Sequence, residues 1–443
     1  MIKQLRWPLI AMIAVLCVAA SHRMLEQGKG APTAAFAMDA PAFGPANYAE
    51  LLTALSDRLS LSQARVRRTP DEWLPHAGAG AAALSLFRLT GKIAYLDLAQ
   101  AEIIAVRELA PPPSGVPELR AELALARHDL ATADRELDVF ASASVAPDKS
   151  ALSEAAAMRG DLALYTGDHA KAGRFYREAA DIEAHVSIAL RTANLHRISG
   201  DFDAAIAALA QATRAEKQAP VVLSGIALQM GMIESARGDY AAAQTWYDRA
   251  ERLFPGHWLT ALYRAEAKLA NGKTDSGVAD LERLVREHAR PEAMDLLALI
   301  WRVRGDSKRS RRWAAHAGTI WREWVEKHPT AFAAHAAEHE LVFGDARQAL
   351  RLAEINARAR PYGESRLLLA RALLANDQAR AAQAQIRIAE KTGWRSAQLY
   401  AIKAQGLTIL GESDAAATAR DMARAINPKI DDPATRLIWL AHG

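Results

Sequence analysis

From about residue 150 to about residue 430 the chain alternates apolar stretches of about 13 residues with short polar turns. The apolar positions within each stretch recur every three to four residues, the period of an amphipathic helix. The turns carry a constant mark, a glycine or asparagine followed by a polar residue. They stand at Gly167-Asp168, Gly200-Asp201, Gly238-Asp239, Gly272-Lys273, Gly305-Asp306, Gly344-Asp345, Asn376-Asp377 and Gly411-Glu412. Successive marks are 33, 38, 34, 33, 39, 32 and 35 residues apart. A glycine there suits the left-handed residue that ends a helix, and an aspartate after it suits the cap of the next. The pattern predicts helical hairpins repeated at a period near 34 residues, each with an A helix, a turn and a B helix.

Small residues hold fixed places in that frame. Five positions after each turn mark stand Ala172, Ala205, Ala243, Gly277, Ser310, Ala349, Ala381 and Ala416. Seven before it stand Gly160, Ala193, Gly231, Ala265, Ala298, Ala337 and Ala404, and only Leu369 breaks the rule. Two antiparallel helices approach closely where both carry little beyond a Cβ. Alanine recurs twelve positions on, at 179, 212, 250, 317 and 423, and Pro255, Pro361 and Pro428 close three units. Together these residues resemble the tetratricopeptide repeat family, most fully over 222–255. There Gly231, Gly238-Asp239-Tyr240, Ala243, Tyr247, Ala250 and Pro255 fall in register. The chain departs from the family in lacking the tryptophan near the start of helix A. It also runs about six residues long over 306–329, which predicts an extended B helix. The resemblance implies an all-α, right-handed superhelical solenoid whose concave face, lined by A helices, holds a peptide or protein segment.

Upstream the frame fades. His128-Asp129 with Ala133 continues it by one unit, and Leu89-Thr90-Gly91 marks another, so eight to ten hairpins are expected. The predicted organisation has degenerate repeats and an N-terminal cap over 47–150, a repeat solenoid over 151–430, and a C-terminal tail over 431–443. Residues 1–20 read as an export leader. Lys3 and Arg6 precede an apolar run, Trp7 to Ala20, and Val18-Ala19-Ala20 offers small residues for cleavage before Ser21. Left uncleaved, the same run would anchor the chain in a membrane. Residues 21–46 read as a flexible linker. The expected address is the periplasm, or the inner membrane facing it.

Composition narrows the function classes. Ninety-eight alanines account for much of the 51% hydrophobic fraction, and alanine is the residue least costly to place in a helix. Cys17 stands alone, so neither a disulfide framework nor a cysteine-ligated zinc site is available. Fifty-five Lys and Arg against 51 Asp and Glu give a net charge of +4, too balanced to mark a nucleic-acid binder. No cofactor is expected.

Candidate chemistry is sparse. Gly272-Lys273-Thr274 resembles the end of a phosphate loop but follows no strand and lies in register as an inter-helix turn. His335, Glu338 and His339 match a short reversed zinc motif, His-x-x-Glu-His, on a helix in register as an A helix; ordinary histidines are expected there. The stretch 301–324 holds Trp301, Trp313, Trp321 and Trp324 among seven cations. Its tryptophans are read as core of the extended helix and its arginines as a solvated face. An alternative function, a polyanion- or glycan-binding solenoid, would use this stretch. A second alternative, an enzyme with its site in 47–150, finds no supporting constellation. The third and sixth positions before each turn mark are expected to face the groove, since such spacing places them on one side of a helix. They nominate Asn194, Arg197, Glu266, Arg302 and Glu338 as residues that bind the partner. The leading expectation is a non-enzymatic scaffold for protein–protein interaction, with an unidentified protein or peptide partner, no nucleic acid, and inner-membrane association through the N-terminus.

Overall fold

The computed structural model describes residues 43–437, apart from 112–113, 144 and 216–217. The leader at 1–20, most of the linker and the last six residues of the tail lie outside the described residues. Among the described residues every regular element is helical, and no helix is long and apolar enough to cross a membrane.

One leading helix, α1 (Tyr48–Arg68), is followed by ten antiparallel hairpins. They are α2/α3 (Trp73–Thr90, Ile93–Leu109), α4/α5 (Pro117–Ala126, Leu130–Ala141), α6/α7 (Lys149–Tyr165, His169–Ile182), α8/α9 (Val186–Ile198, Phe202–Ala215) and α10/α11 (Pro220–Ala236, Tyr240–Leu253). The second five are α12/α13 (Trp258–Ala270, Thr274–His288), α14/α15 (Pro291–Val303, Ser307–Lys327), α16/α17 (Pro329–Phe343, Ala346–Ala359), α18/α19 (Gly363–Leu374, Ala379–Lys391) and α20/α21 (Ala397–Ile409, Ser413–Ile426). A short 3₁₀ helix, Pro433–Leu437, follows. Each helix packs on its hairpin partner and each hairpin on the next, the arrangement of a helical solenoid.

The turn marks act as their chemistry dictates. Asp129, Asp168, Asp239, Asp306 and Asp345 each accept a hydrogen bond from the backbone N–H three residues on, capping the B helix. The small residues work in pairs with large ones. Ala172, Ala205 and Ala243 are fully buried, and a Cβ on Gly160 or Gly231 would overlap the ring of Tyr176 or Tyr247. Those two tyrosines stand nine residues after their turn glycines. The missing side chain on helix A is thus the space that helix B's aromatic ring fills. The extended B helix is α15, at 21 residues against 14 for α11.

The solenoid closes on itself. Turns of the first five hairpins touch the loops between hairpins five to six units further on. Trp258 Nε1 donates to the Leu89 carbonyl at 3.0 Å, and Arg290 Nη1 donates to Gly91 O at 2.9 Å. His128 Nδ1 donates to Thr330 O at 2.9 Å, the Arg395 N–H donates to Ile198 O at 2.8 Å, and Asn427 Nδ2 donates to the Tyr240 hydroxyl at 2.9 Å. Successive superhelical turns therefore meet along a continuous seam, and the concave face becomes the wall of a lumen.

Candidate functional site

Arg290 stands near one end of the seam, against the turn of the first hairpin. It is 5% exposed and pairs with Glu292, 7% exposed, through Nη2 at 2.5 Å and Nε at 3.1 Å. Its guanidinium also lies 3.9 Å from the centroid of Trp258, a cation–π contact. Glu292 and Trp258 thus fix the guanidinium from its own superhelical turn, and Nη1 reaches across to the turn of the first hairpin.

Inside the seam lies a cavity of about 420 Å³. Its wall draws on helices far apart in sequence: α8 gives Arg197, α11 and α12 give Tyr247 and Tyr263, α16 gives Glu338, and α18 gives Arg371. The rings of Tyr247 and Tyr263 lie 5.5 Å apart, and burial pushes both phenols above their usual range. Burial also depresses Arg197, which places a positive charge in a poorly solvated wall. Along the wall Arg371 approaches Glu338 of the neighbouring A helix at 3.4 Å, and Tyr362 hydrogen-bonds Glu364, whose side chain also lines the cavity. The wall thus offers aromatic faces together with both signs of charge, suited to an amide-rich chain bearing charged side chains.

The five nominated residues do not form one cluster. Arg197 and Glu338 line the cavity. Asn194 stands beside it and accepts from Arg197 Nη2 at 2.7 Å, orienting that guanidinium. Glu266 is buried behind the tyrosine pair, where its charge helps to raise both phenols. Arg302 is exposed, donates to Val342 O at 2.5 Å and stacks on Phe343 at 4.6 Å. Arg371, Tyr263 and Trp394 were not singled out by the sequence pattern. One of them was within reach. In the hairpin marked Asn376-Asp377 the residue of positive φ is Asp377, at 59°, and Arg371 is sixth before it. Counting from the first polar residue hides this. Trp394 comes from an inter-hairpin loop, where no periodic signal exists.

His339 and His335 point apart in chemistry. His339 Nδ1 lies 2.7 Å from Asp295 Oδ1, while Trp321 Nε1 donates to Asp295 Oδ2 at 2.7 Å. Asp295 is 0% exposed, and burial raises its pKa. His335 instead stacks on Trp321, with centroids 5.2 Å apart and planes at 8°. Among the described residues no three His, Cys, Asp or Glu side chains converge as metal ligands would. Trp321 and Trp324 are buried, whereas Lys308, Arg309, Arg311, Arg312 and Arg322 are exposed along α15. In the 47–150 region His76 pairs with Glu102 at 2.6 Å and Arg120 with Glu136 at 2.5 Å, each linking neighbouring helices.

No family model matches the sequence, and no curated protein does. Many solved structures are similar in fold. They include a tetratricopeptide repeat protein from Parabacteroides merdae, 17% identical, covering 58% of this chain and 98% of its own, with a TM-score of 0.35. Yeast Tom70 is 14% identical, covering 87% of this chain and 91% of its own, with a TM-score of 0.42. The chain is similar to tetratricopeptide repeat proteins at the level of stacked helical hairpins.

Proposed function

We propose that the protein is a non-enzymatic interaction scaffold that holds a segment of a partner protein in its lumen. The observation that carries this reading is the wall chemistry: Arg197, Arg371 and Glu338 face the same cavity as Tyr247 and Tyr263. Arginine forks a carboxylate, tyrosine covers apolar side chains, and Asn194 sets the angle of Arg197. Polyanion binding by 301–324 is less favoured, because several of its cations already have partners within the protein. Arg304 pairs with Asp275 at 2.5 Å and Arg309 stacks on Trp301 at 4.3 Å. The order of charge, apolar run and small residues in 1–20 supports an address in the periplasm or on the periplasmic face of the inner membrane.

The test is capture of a partner from envelope fractions by the wild type and by a double variant, Asn194→Ala with Arg197→Ala. The double variant is expected to bind the recovered partner about 2–4 kcal/mol more weakly. Undiminished binding by the folded variant would remove the lumen from the mechanism. Recovery of the wild-type protein from cytosol alone would remove the address.

A further inference from the structure

Residues beyond α21 contribute to the lumen wall. After α21 the chain does not run off the end of the solenoid. It turns back at Asn427, whose side chain bonds the Tyr240 hydroxyl and whose Oδ1 accepts from the Lys429 N–H at 2.9 Å. Lys429 then stands 5.5 Å over the Tyr240 ring. Ile430 and Thr435 line the same cavity as Arg197 and Tyr263. The 3₁₀ helix Pro433–Leu437 packs on α12 and α14, A helices four and three hairpins earlier in sequence. Leu437 is 7% exposed.

We infer that residues 427–437 are an intramolecular plug, a segment of the protein's own chain lying where the partner segment would lie. This rests on the lumen reading above and adds regulation to it. A tethered segment faces its site at an effective concentration of order millimolar, so a free competitor must overcome that advantage. The plug also describes its competitor. It presents a lysine over a tyrosine ring and isoleucine and leucine against A helices. The plug carries two cations, Lys429 and Arg436, and two carboxylates, Asp431 and Asp432, so the partner segment that displaces it is a net-neutral, aliphatic peptide of about ten residues. Lys429, Asp431, Asp432 and Pro433 are exposed, while Ile430 between them turns toward the cavity.

The experiment uses the full chain and a fluorescent peptide of residues 427–443 added in trans. The wild type is expected to bind this peptide at least roughly tenfold more weakly than the variants Ile430→Asp and Leu437→Asp, which release the plug. In a Cys17→Ser background, Leu437→Cys is expected to react with a thiol reagent at least roughly tenfold more slowly than Ile409→Cys, whose parent side chain is 58% exposed. Addition of the peptide should then speed the Leu437→Cys reaction. Equal peptide binding by all three proteins would overturn the plug and leave the lumen reading standing. Binding by none, with Leu437→Cys protected, would overturn both. Labelling of Leu437→Cys as fast as Ile409→Cys would overturn the plug alone.

Discussion

The two edges of the solenoid use one turn design in two environments. On the edge of the first five hairpins, Gly91, Gly167, Gly200 and Gly238 have φ of 62°, 87°, 78° and 83°. On the edge of the later hairpins Gly272, Gly305 and Gly411 have φ of 75°, 79° and 79°. The backbone is the same and the surroundings are not. A Cβ on Gly305, Gly272 or Gly411 would meet nothing within 4 Å. On the first edge it would run into Arg290, Thr392, Arg395 or Asn427, side chains from the next superhelical turn. Gly272, Gly305 and Gly411 serve the open edge through conformation alone, and the seam glycines serve conformation and space together. Gly344 departs from the design, with φ −118° and a site that a Cβ would bring into Glu340. A repeat frame thus fixes what each turn is, while position along the superhelix fixes what each turn touches.

Substitutions matched across the edges sharpen this contrast. The largest difference is expected for the ion pairs. Arg290→Ala strands the buried Glu292 carboxylate and removes the bonds to Gly91 and Trp258, so a loss of about 3–5 kcal/mol is expected in urea unfolding. Arg304→Ala, which breaks the open-edge pair with the exposed Asp275, should cost less than about 1 kcal/mol. Similar losses for both would mean that the seam contributes no more than a solvated surface.

A smaller difference separates the glycines. Gly305→Ala should cost about 1 kcal/mol for its positive φ. Gly238→Ala should cost about 1–3 kcal/mol beyond that, because its Cβ would meet the carboxamide of Asn427 and overpack the seam. Matched melting curves for the two variants would show that the turns give way without loss.

A further effect is graded by pH. His128, His169 and His257 lie on the seam, and burial lowers them to about 3, about 4 and about 4 from an ordinary 6.5. The nearby Arg360 lowers His128 further, Arg395 lowers His169, and His288 lowers His257. A depressed imidazole binds fewer protons in the native state than in the unfolded chain. Its contribution is intact above about pH 6.5 and is lost as pH falls toward those lowered values. The melting temperature should therefore fall between pH 7 and pH 4, and His128→Gln, which can still donate to Thr330, should fall less. Parallel pH profiles for the two proteins would show that this imidazole does not titrate with unfolding.

The same division runs through what was legible in the sequence. Gly238, Asp239, Ala243 and Ala250 could be read in advance because helix ends and helix–helix approach depend on residues within one repeat. Arg197 and Glu338 were legible as one face of an A helix for the same reason. Glu266 and Arg302 occupy the same frame yet lie behind the wall or outside the lumen. Their repeats sit at other points on the superhelix, so equal register does not give equal surroundings. Trp258, Arg290 and His328 carried no signal, since their partners at Leu89, Gly91 and Asp97 are more than 160 residues away.

Local chemistry therefore determined the hairpin, its period and the small residues at its crossings, because each depends on neighbours within about 40 residues along the chain. Only the tertiary structure decided that the superhelix is tight enough for its turns to touch, that the groove is a lumen, and that residues 427–437 turn back toward it. Superhelical pitch is the sum of small rotations between successive hairpins. A slight change in each would open the seam without altering any single repeat, and so no motif within one repeat can specify it.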